Sequence, residues 1–253
     1  MKIAIAQLYT NHFDDWANIP IKNKQAYCDK HGYDLVTKRG LYKTNFGDRH
    51  PSWHSILLIL ETLENTNVDW VFWSDIDALI MDQTVKLESF IENKYDIIIP
   101  NQGMGEYCGI KTKSCLCCGH YFIRNTKWSK DFLRLLWRWP NEEFEKYKED
   151  SYWEQCGMNY LYHENAMNFE KHVKIEPNNR AFNSFYFMNN KDEPMEFKEW
   201  GETWFRAEKS KNLAKGFGTA YNEGDFIMHF AGKHCAPHRK FLMEKYSEKV
   251  KWN

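Results

Sequence analysis

The run Val68-Asp69-Trp70-Val71-Phe72-Trp73-Ser74-Asp75-Ile76-Asp77 constrains this chain more than any other stretch. Val71, Phe72 and Trp73 are β-branched or aromatic, too few for a helix and bounded by polar residues, so they read as a short buried strand. Asp75 and Asp77 sit where that strand stops. In open α/β sheets ligands bind beyond the carboxyl ends of the strands, so two carboxylates there are placed to hold a divalent cation and a charged ligand. Standing alone, the same pair also fits a polar loop after a core strand, and the rest of the chain has to decide.

Charge and composition narrow the partners. With 253 residues the chain is long enough for one large core, and a single domain spanning 1–253 is expected. The net charge of −1 offers no general basic field for nucleic acid or an acidic membrane surface. Aromatic residues reach 17%, enough to build platforms for flat apolar faces such as bases and sugar rings, although core packing also uses them. The apolar-leaning run after Lys2 fits a first strand and falls well short of a membrane span or a signal peptide. Seven cysteines is an odd number, and Cys115, Cys117 and Cys118 are too bunched for a tidy disulfide framework, so reduced thiols in a cytoplasmic compartment are expected. A zinc site built from Cys108, Cys115, Cys117, Cys118 and His120 is the sharper alternative, though its spacing lacks a regular C-x2-C pair.

Taken in order, Ile3 to Leu8 reads as a strand, Pro20 to His31 as a helix closed by Gly32, and Tyr33 to Thr37 as a second strand. This β-α-β opening suits a nucleotide-binding α/β layout, but no G-x-G-x-x-G and no P-loop follows. Residues 38–51 form a loop, and Ser52 to Leu63 a helix with a buried stripe through Ile56, Leu57, Leu60 and Leu63. After the Asp-x-Asp strand, Val85 to Asn93 reads as an amphipathic helix and Asp96 to Pro100 as a strand. Cys117 to Ile123 follows as a further strand, and Lys130 to Trp139 and Tyr152 to His163 as helices. Residues 165–222 read as a polar, aromatic flap with a hinge at Gly216-Phe217-Gly218. Asp225 to Phe230 is a last strand and His238 to Lys251 a terminal helix.

A Mg2+ or Mn2+ ion shared with a diphosphate needs hard oxygen ligands, open positions and at most one or two nitrogens. Asp75 and Asp77 supply oxygens, and His229, at a strand end far along the chain, supplies a nitrogen if it reaches them. Lys233, His234 and His238 follow it, where a cation would neutralise a diphosphate leaving group.

Taken together, these motifs resemble the GT-A glycosyltransferases of family 34, the galactosyl-, mannosyl- and xylosyltransferase group. The shared features run through Tyr27-Cys28-Asp29-Lys30-His31-Gly32-Tyr33, the helix of Trp53 and Trp70 to Asp77. They continue with Gly119-His120-Tyr121-Phe122-Ile123-Arg124-Asn125, Trp128-Ser129, Glu154-Gln155 and Gly224 to Gly232. The resemblance implies an α/β GT-A fold with a mixed central sheet flanked by helices, residues 1–125 forming the nucleotide-sugar half and 126–253 the acceptor-facing half. It implies transfer, with retention, of a hexosyl or pentosyl unit from a nucleotide sugar, a UDP-sugar ahead of GDP-mannose, to a glycan hydroxyl, with Mn2+ or Mg2+. By residue, it implies Asp75, Asp77 and His229 as metal ligands and Gln155 near the anomeric carbon, with Glu154 as an acid beside it. It places Lys233 at the diphosphate and Gly119 at the sugar and acceptor pocket. Gln7, Tyr9, Ser74 and Gly232 join Asp75 in donor binding. The chain departs from the family pattern at Cys117, Cys118 and His120 around Gly119, at Ser55 and at Trp153, all of which bear on the sugar and acceptor pockets.

The chemistry can be argued without the family. A departing diphosphate needs its charge stabilised, and no protein nucleophile is required. A double displacement would want two carboxyls about 5 Å apart, for which Glu154, Asp150 and Asp225 are the candidates beyond the Asp-x-Asp. Gln155 is a poor nucleophile, so front-face substitution is expected, with the acceptor proton passing to the departing phosphate. A dehalogenase-type phosphatase also uses Asp-x-Asp after a buried strand, but Leu79 stands where it needs Thr or Val. A non-catalytic sugar-binding module stays open.

Overall fold

The computed structural model describes residues 1–45, 49–102, 105–107, 110–112, 114–139, 153–186, 221–232 and 235–252. The described elements begin with β1 (Ile3–Tyr9), α1 (Asn18–His31), β2 (Asp34–Arg39), α2 (His54–Asn65), β3 (Trp70–Ser74), β4 (Ala78–Ile80) and β5 (Ile97–Pro100). An antiparallel pair, β6 (Gly105–Tyr107) and β7 (Ile110–Thr112), precedes β8 (His120–Arg124), α3 (Lys127–Arg138) and α4 (Trp153–His163). Then come α5 (Phe169–His172), β9 (Val173–Glu176), β10 (Ser184–Phe185), β11 (Ile227–His229) and α6 (Arg239–Ser247).

The main sheet has the order β2-β1-β3-β8-β5-β9 and is mixed, because β8 runs antiparallel to both β3 and β5 while the other pairs are parallel. A strand presents successive side chains to opposite faces. On β3, Val71 and Trp73 pack with Trp53, Ile56, Phe132 and Leu136. Trp70 and Phe72 face the other way, onto Tyr27, Phe122 and the small sheet's Ala78, Ile80 and Ile227. Burial on both faces explains why β3 reads as an unbroken apolar run. The small sheet, β10-β11-β4, turns Leu79 and Met228 away from the main sheet onto Leu242, Met243 and Tyr246 of α6 and its flank.

The mixed sheet, the β-α-β opening, Gly32 as a left-handed C-cap (φ 75°) and most helices stand as expected from the sequence. Val85 to Asn93 does not form an amphipathic helix and keeps only a 3-10 turn at Leu87–Phe90. The Tyr27 hydroxyl donates to Val85 O and the Leu87 N–H donates to the Tyr33 hydroxyl, so tertiary bonds take backbone groups that a helix would have used. The strand expected from Cys117 starts instead at His120, because Cys118 N donates to Gln155 Oε1 and Leu116 N to Asn159 Oδ1. The flap expected over 165–222 contains β9, which extends the main sheet beside β5. Residues 187–220, with Gly216 to Gly218, lie outside the described residues. Cys28, Cys115, Cys117, Cys118 and Cys235 are free, but Cys156 is disulfide-bonded. That corrects the expectation of thiols throughout: Cys156 is buried on α4 and is bonded to none of the five free cysteines, its neighbour Cys115 included, a pairing that linear spacing does not carry. Among the described residues no helix is long and apolar enough to cross a membrane.

Candidate functional site

Strand register assembles the site. Asp75-Ile76-Asp77 is the turn by which the chain leaves β3 of the main sheet and enters β4 of the small one. Ser74 lies opposite His120 in the antiparallel β3–β8 pair, which sets Gly119 beside Asp75, and Asp75 N donates to Gly119 O at 2.9 Å. His229 pairs with Ala78, so β11 delivers its imidazole next to Asp77, and Phe230 N donates to Asp77 O. Two strand pairings thus bring together residues 152 positions apart.

His229 Nε2 lies 3.1 Å from Asp77 Oδ1 and 3.6 Å from Asp75 Oδ2. One ligand atom from each of Asp75, Asp77 and His229 lies within 4.8 Å of the others. Two carboxylate oxygens and one imidazole nitrogen at that separation suit a hard or borderline divalent cation with positions left for phosphate oxygens. No such group involving the cysteines and His120 forms among the described residues, which removes support from the zinc alternative there; Cys108 lies outside them.

The two acids differ in their surroundings. The Asp75 side chain keeps 38% of its surface open at the mouth of the site and accepts from the Trp73 indole at 2.9 Å. The enclosing walls, then the Asp77 charge, then Glu154 push its carboxyl well above the usual range. Burial pushes Asp77 upward too, but the Arg239 guanidinium, with Nη2 3.0 Å from Oδ2, and His229 outweigh it and hold that carboxyl well below the usual range.

Two cations that the sequence reading passed over anchor this turn. Lys24 is fully buried on α1 and donates to Asp75 O at 2.6 Å and to Gln7 Oε1 at 3.0 Å, with burial lowering its pKa to about 7 against the pull of Asp75 and Asp77. A signal for it existed, since Pro20, Lys24, Tyr27 and Cys28 fall on one helical stripe and the lysine is its one charge. Arg239, at the start of α6, pairs with Asp77 and also donates to Phe230 O and Gly232 O, tying the turn after His229 to the acids. Nothing in the local sequence marks it.

The remaining expected residues divide. Gln7 is buried, with its amide engaged by Lys24 and by Thr37 Oγ1, and Ser74 is buried with Oγ 3.5 Å from Asp75 O. Both therefore support the acidic turn from behind. Tyr9 is half-buried at the end of β1, and Gly232 is exposed in a left-handed turn (φ 85°). A Cβ on Gly119 would stand 2.7 Å from His229 Cε1 and 3.4 Å from Asp75 Oδ2, so the absence of a side chain is what lets the imidazole reach the acids. Gln155 accepts from Cys118 N at 2.7 Å, joining α4 to the loop before Gly119. Glu154 Oε2 is buried with no hydrogen-bond partner, and burial raises its pKa to about 8. Lys233, His234 and Asp150 lie outside the described residues. His238 ends the 3-10 turn before α6, and Asp225 pairs with Arg180.

Comparison with known proteins agrees with this geometry. The pattern of the galactosyl transferase GMA12/MNN10 family matches residues 4–101 and 108–242. The probable alpha-1,6-mannosyltransferase MNN10 of Saccharomyces cerevisiae is 27% identical over 146 residues, covering 49% of this chain and 37% of that protein. The uncharacterized alpha-1,2-galactosyltransferase C637.06 of Schizosaccharomyces pombe is 24% identical over 179 residues, covering 56% of this chain and 52% of that protein. Galactomannan galactosyltransferase 1 of Cyamopsis tetragonoloba is 27% identical over 118 residues, covering 44% and 25%. The matched part thus spans between a quarter and about half of these relatives' length. Among solved structures, a glycosyltransferase involved in the glycosylation of the major capsid of PBCV-1 superposes with a TM-score of 0.63 at 15% identity, covering 97% of this chain and 100% of that one. The galactosyltransferase LgtC superposes with 0.58 at 13% identity, covering 98% and 96%. The structural likeness establishes the GT-A fold, and the family pattern, matched from β1 into α6, establishes that the chain belongs to the galactosyl transferase GMA12/MNN10 family, the family 34 glycosyltransferases.

Proposed function

We propose that the chain transfers a hexosyl or pentosyl unit from a nucleoside-diphosphate sugar to a glycan hydroxyl, with retention, and that the reaction depends on Mn2+ or Mg2+. The observation that carries this is the convergence of Asp75, Asp77 and His229 on one point beyond the end of β3. Those three side chains would hold the ion. When bound, it would neutralise charge on the donor diphosphate and on the departing nucleoside diphosphate.

The chain's own residues account for the rest. Lys24 and the Trp73 indole fix the acidic turn, so no reorganisation is needed as charge develops. Arg239 balances Asp77 and shapes the Phe230–Gly232 turn that leads to Lys233, the residue proposed to meet the diphosphate. Glu154 is the nearby candidate for a covalent nucleophile, but a carboxyl raised to about 8 keeps its proton at neutral pH and is a poor one. Front-face substitution fits better. The bond from the anomeric carbon to the phosphate oxygen breaks, the bond to the acceptor oxygen forms on the same face, and the acceptor proton goes to the departing phosphate. Gln155, oriented through Cys118 N, steadies the electron-poor carbon, and neutral Glu154 is a donor for a sugar hydroxyl.

A UDP-sugar is the expected donor, in keeping with the family resemblance, and GDP-mannose is the rival. A panel of sugar nucleotides with Mn2+, scored by donor hydrolysis and thermal shift, tests both levels. Stabilisation and turnover with a UDP-sugar support the proposal, greater stabilisation by GDP-mannose reverses the donor, and binding of sugars without any turnover would leave a sugar-binding module.

A further inference from the structure

The side of His229 that faces away from the acids meets a buried polar relay. Its Nδ1 lies 2.9 Å from Asn183 Oδ1, and His120 Nδ1 lies 2.7 Å from the same oxygen. Asn183, His120 and His229 are all buried. The Asn183 amide nitrogen donates to Asn179 Oδ1 at 3.1 Å and to Cys117 Sγ at 2.9 Å, and the Asn179 amide nitrogen donates to Asn183 O at 2.8 Å.

That last bond orients both amides and with them the Nδ1 side of each imidazole. A backbone carbonyl only accepts, so Asn179 must turn its nitrogen to it and its oxygen to Asn183. Asn183 must then present its own nitrogen to Asn179, which leaves its oxygen for the two imidazoles. An amide oxygen accepts two hydrogen bonds, so both rings carry a proton on Nδ1. The nitrogen that His229 turns to Asp75 and Asp77 is therefore Nε2, the one that can offer a lone pair to a cation. Asn183 precedes β10, whose parallel pairing with β11 sets Phe185 beside His229, so the relay is held by the small sheet.

We propose that Asn183 is a positioning residue of the metal site: by accepting the Nδ1–H of His229 it fixes the tautomer and the ring angle that present Nε2 to the ion. This rests on the metal-dependent reading above. Loss of such a partner weakens metal binding by about 10- to 100-fold.

Mn2+ binding, followed by the free-ion electron paramagnetic resonance signal, is compared in wild type, Asn183→Leu and Asn183→Asp, with melting temperatures for each. Leucine removes the acceptor, whereas aspartate keeps an oxygen toward both imidazoles but faces Asn179 with another acceptor. Both variants should melt lower, and only Asn183→Leu should lose Mn2+ affinity, by at least about 10-fold. Equal affinity in both variants, whether kept or lost, overturns the proposal. Absence of Mn2+ binding by the wild type would instead overturn the metal reading. Should the variants not fold, 15N imidazole shifts of the wild type with Mg2+ decide: a protonated Nδ1 on both His120 and His229 is expected, and a bare Nδ1 on either ring refutes the relay.

Discussion

Glu154 offers the sharpest test of the site's electrostatics. Its Oε2 is buried without a hydrogen-bond partner, and burial raises its pKa from 4.5 to about 8. Between those values the folded protein holds a proton that the unfolded chain has released, so the carboxyl makes the fold less stable as pH rises from about 4.5 to about 8. At about 1.4 kcal/mol per pH unit the full effect approaches about 5 kcal/mol. The residue is partly exposed, and water at its stem screens a share of this, leaving about 2 kcal/mol. Glu154→Gln keeps the shape and removes the ionisation. Urea unfolding should find the two proteins within about 0.5 kcal/mol at pH 5, with the variant more stable by about 2 kcal/mol at pH 8.5. Comparing the proteins at each pH cancels the other titrating groups. A stability difference that is the same at both pH values would refute the buried-acid argument, and with it the reason for discounting Glu154 as a nucleophile.

Other expectations follow from single contacts. Asp77→Ala uncovers one ligand position and leaves Arg239 with only its carbonyl partners; calorimetry with Mn2+ and a nucleoside diphosphate should show both lost while far-ultraviolet circular dichroism is unchanged, and retained affinity would oppose the metal assignment. Gly119→Ala should push the His229 ring off the acids and weaken Mn2+ binding by about 10-fold or more, with normal affinity showing that the ring has room to move. Gln155→Ala should lower kcat by an amount equivalent to roughly 2 to 4 kcal/mol with little change in donor Kd. If melting temperature falls and specific activity stays, the bond to Cys118 N is structural only.

The sequence alone was enough for whatever depends on local pattern. An apolar run ending in two acids is legible as a buried strand delivering carboxylates to a ligand, because both the burial and the charge are written in adjacent residues. The β-α-β opening and the C-cap at Gly32 were legible for the same reason, and Lys24 would have been, as the single charge on an otherwise apolar stripe. What required tertiary structure was everything set by register between strands distant in sequence. That His229 meets Asp77 depends on β11 pairing with β4, and that Gly119 must lack a side chain depends on where that imidazole then stands. The helix expected at Val85 was lost to hydrogen bonds with Tyr27 and Tyr33, partners more than 50 positions away. Arg239 and Asn183 carry no local signature, because an arginine opening a helix and an asparagine before a strand are ordinary until the sheet places them against a carboxylate and an imidazole. Hydrogen bonds and charge pairs act over a few ångströms whatever the separation along the chain, so only the folded sheet decides which residues share the site.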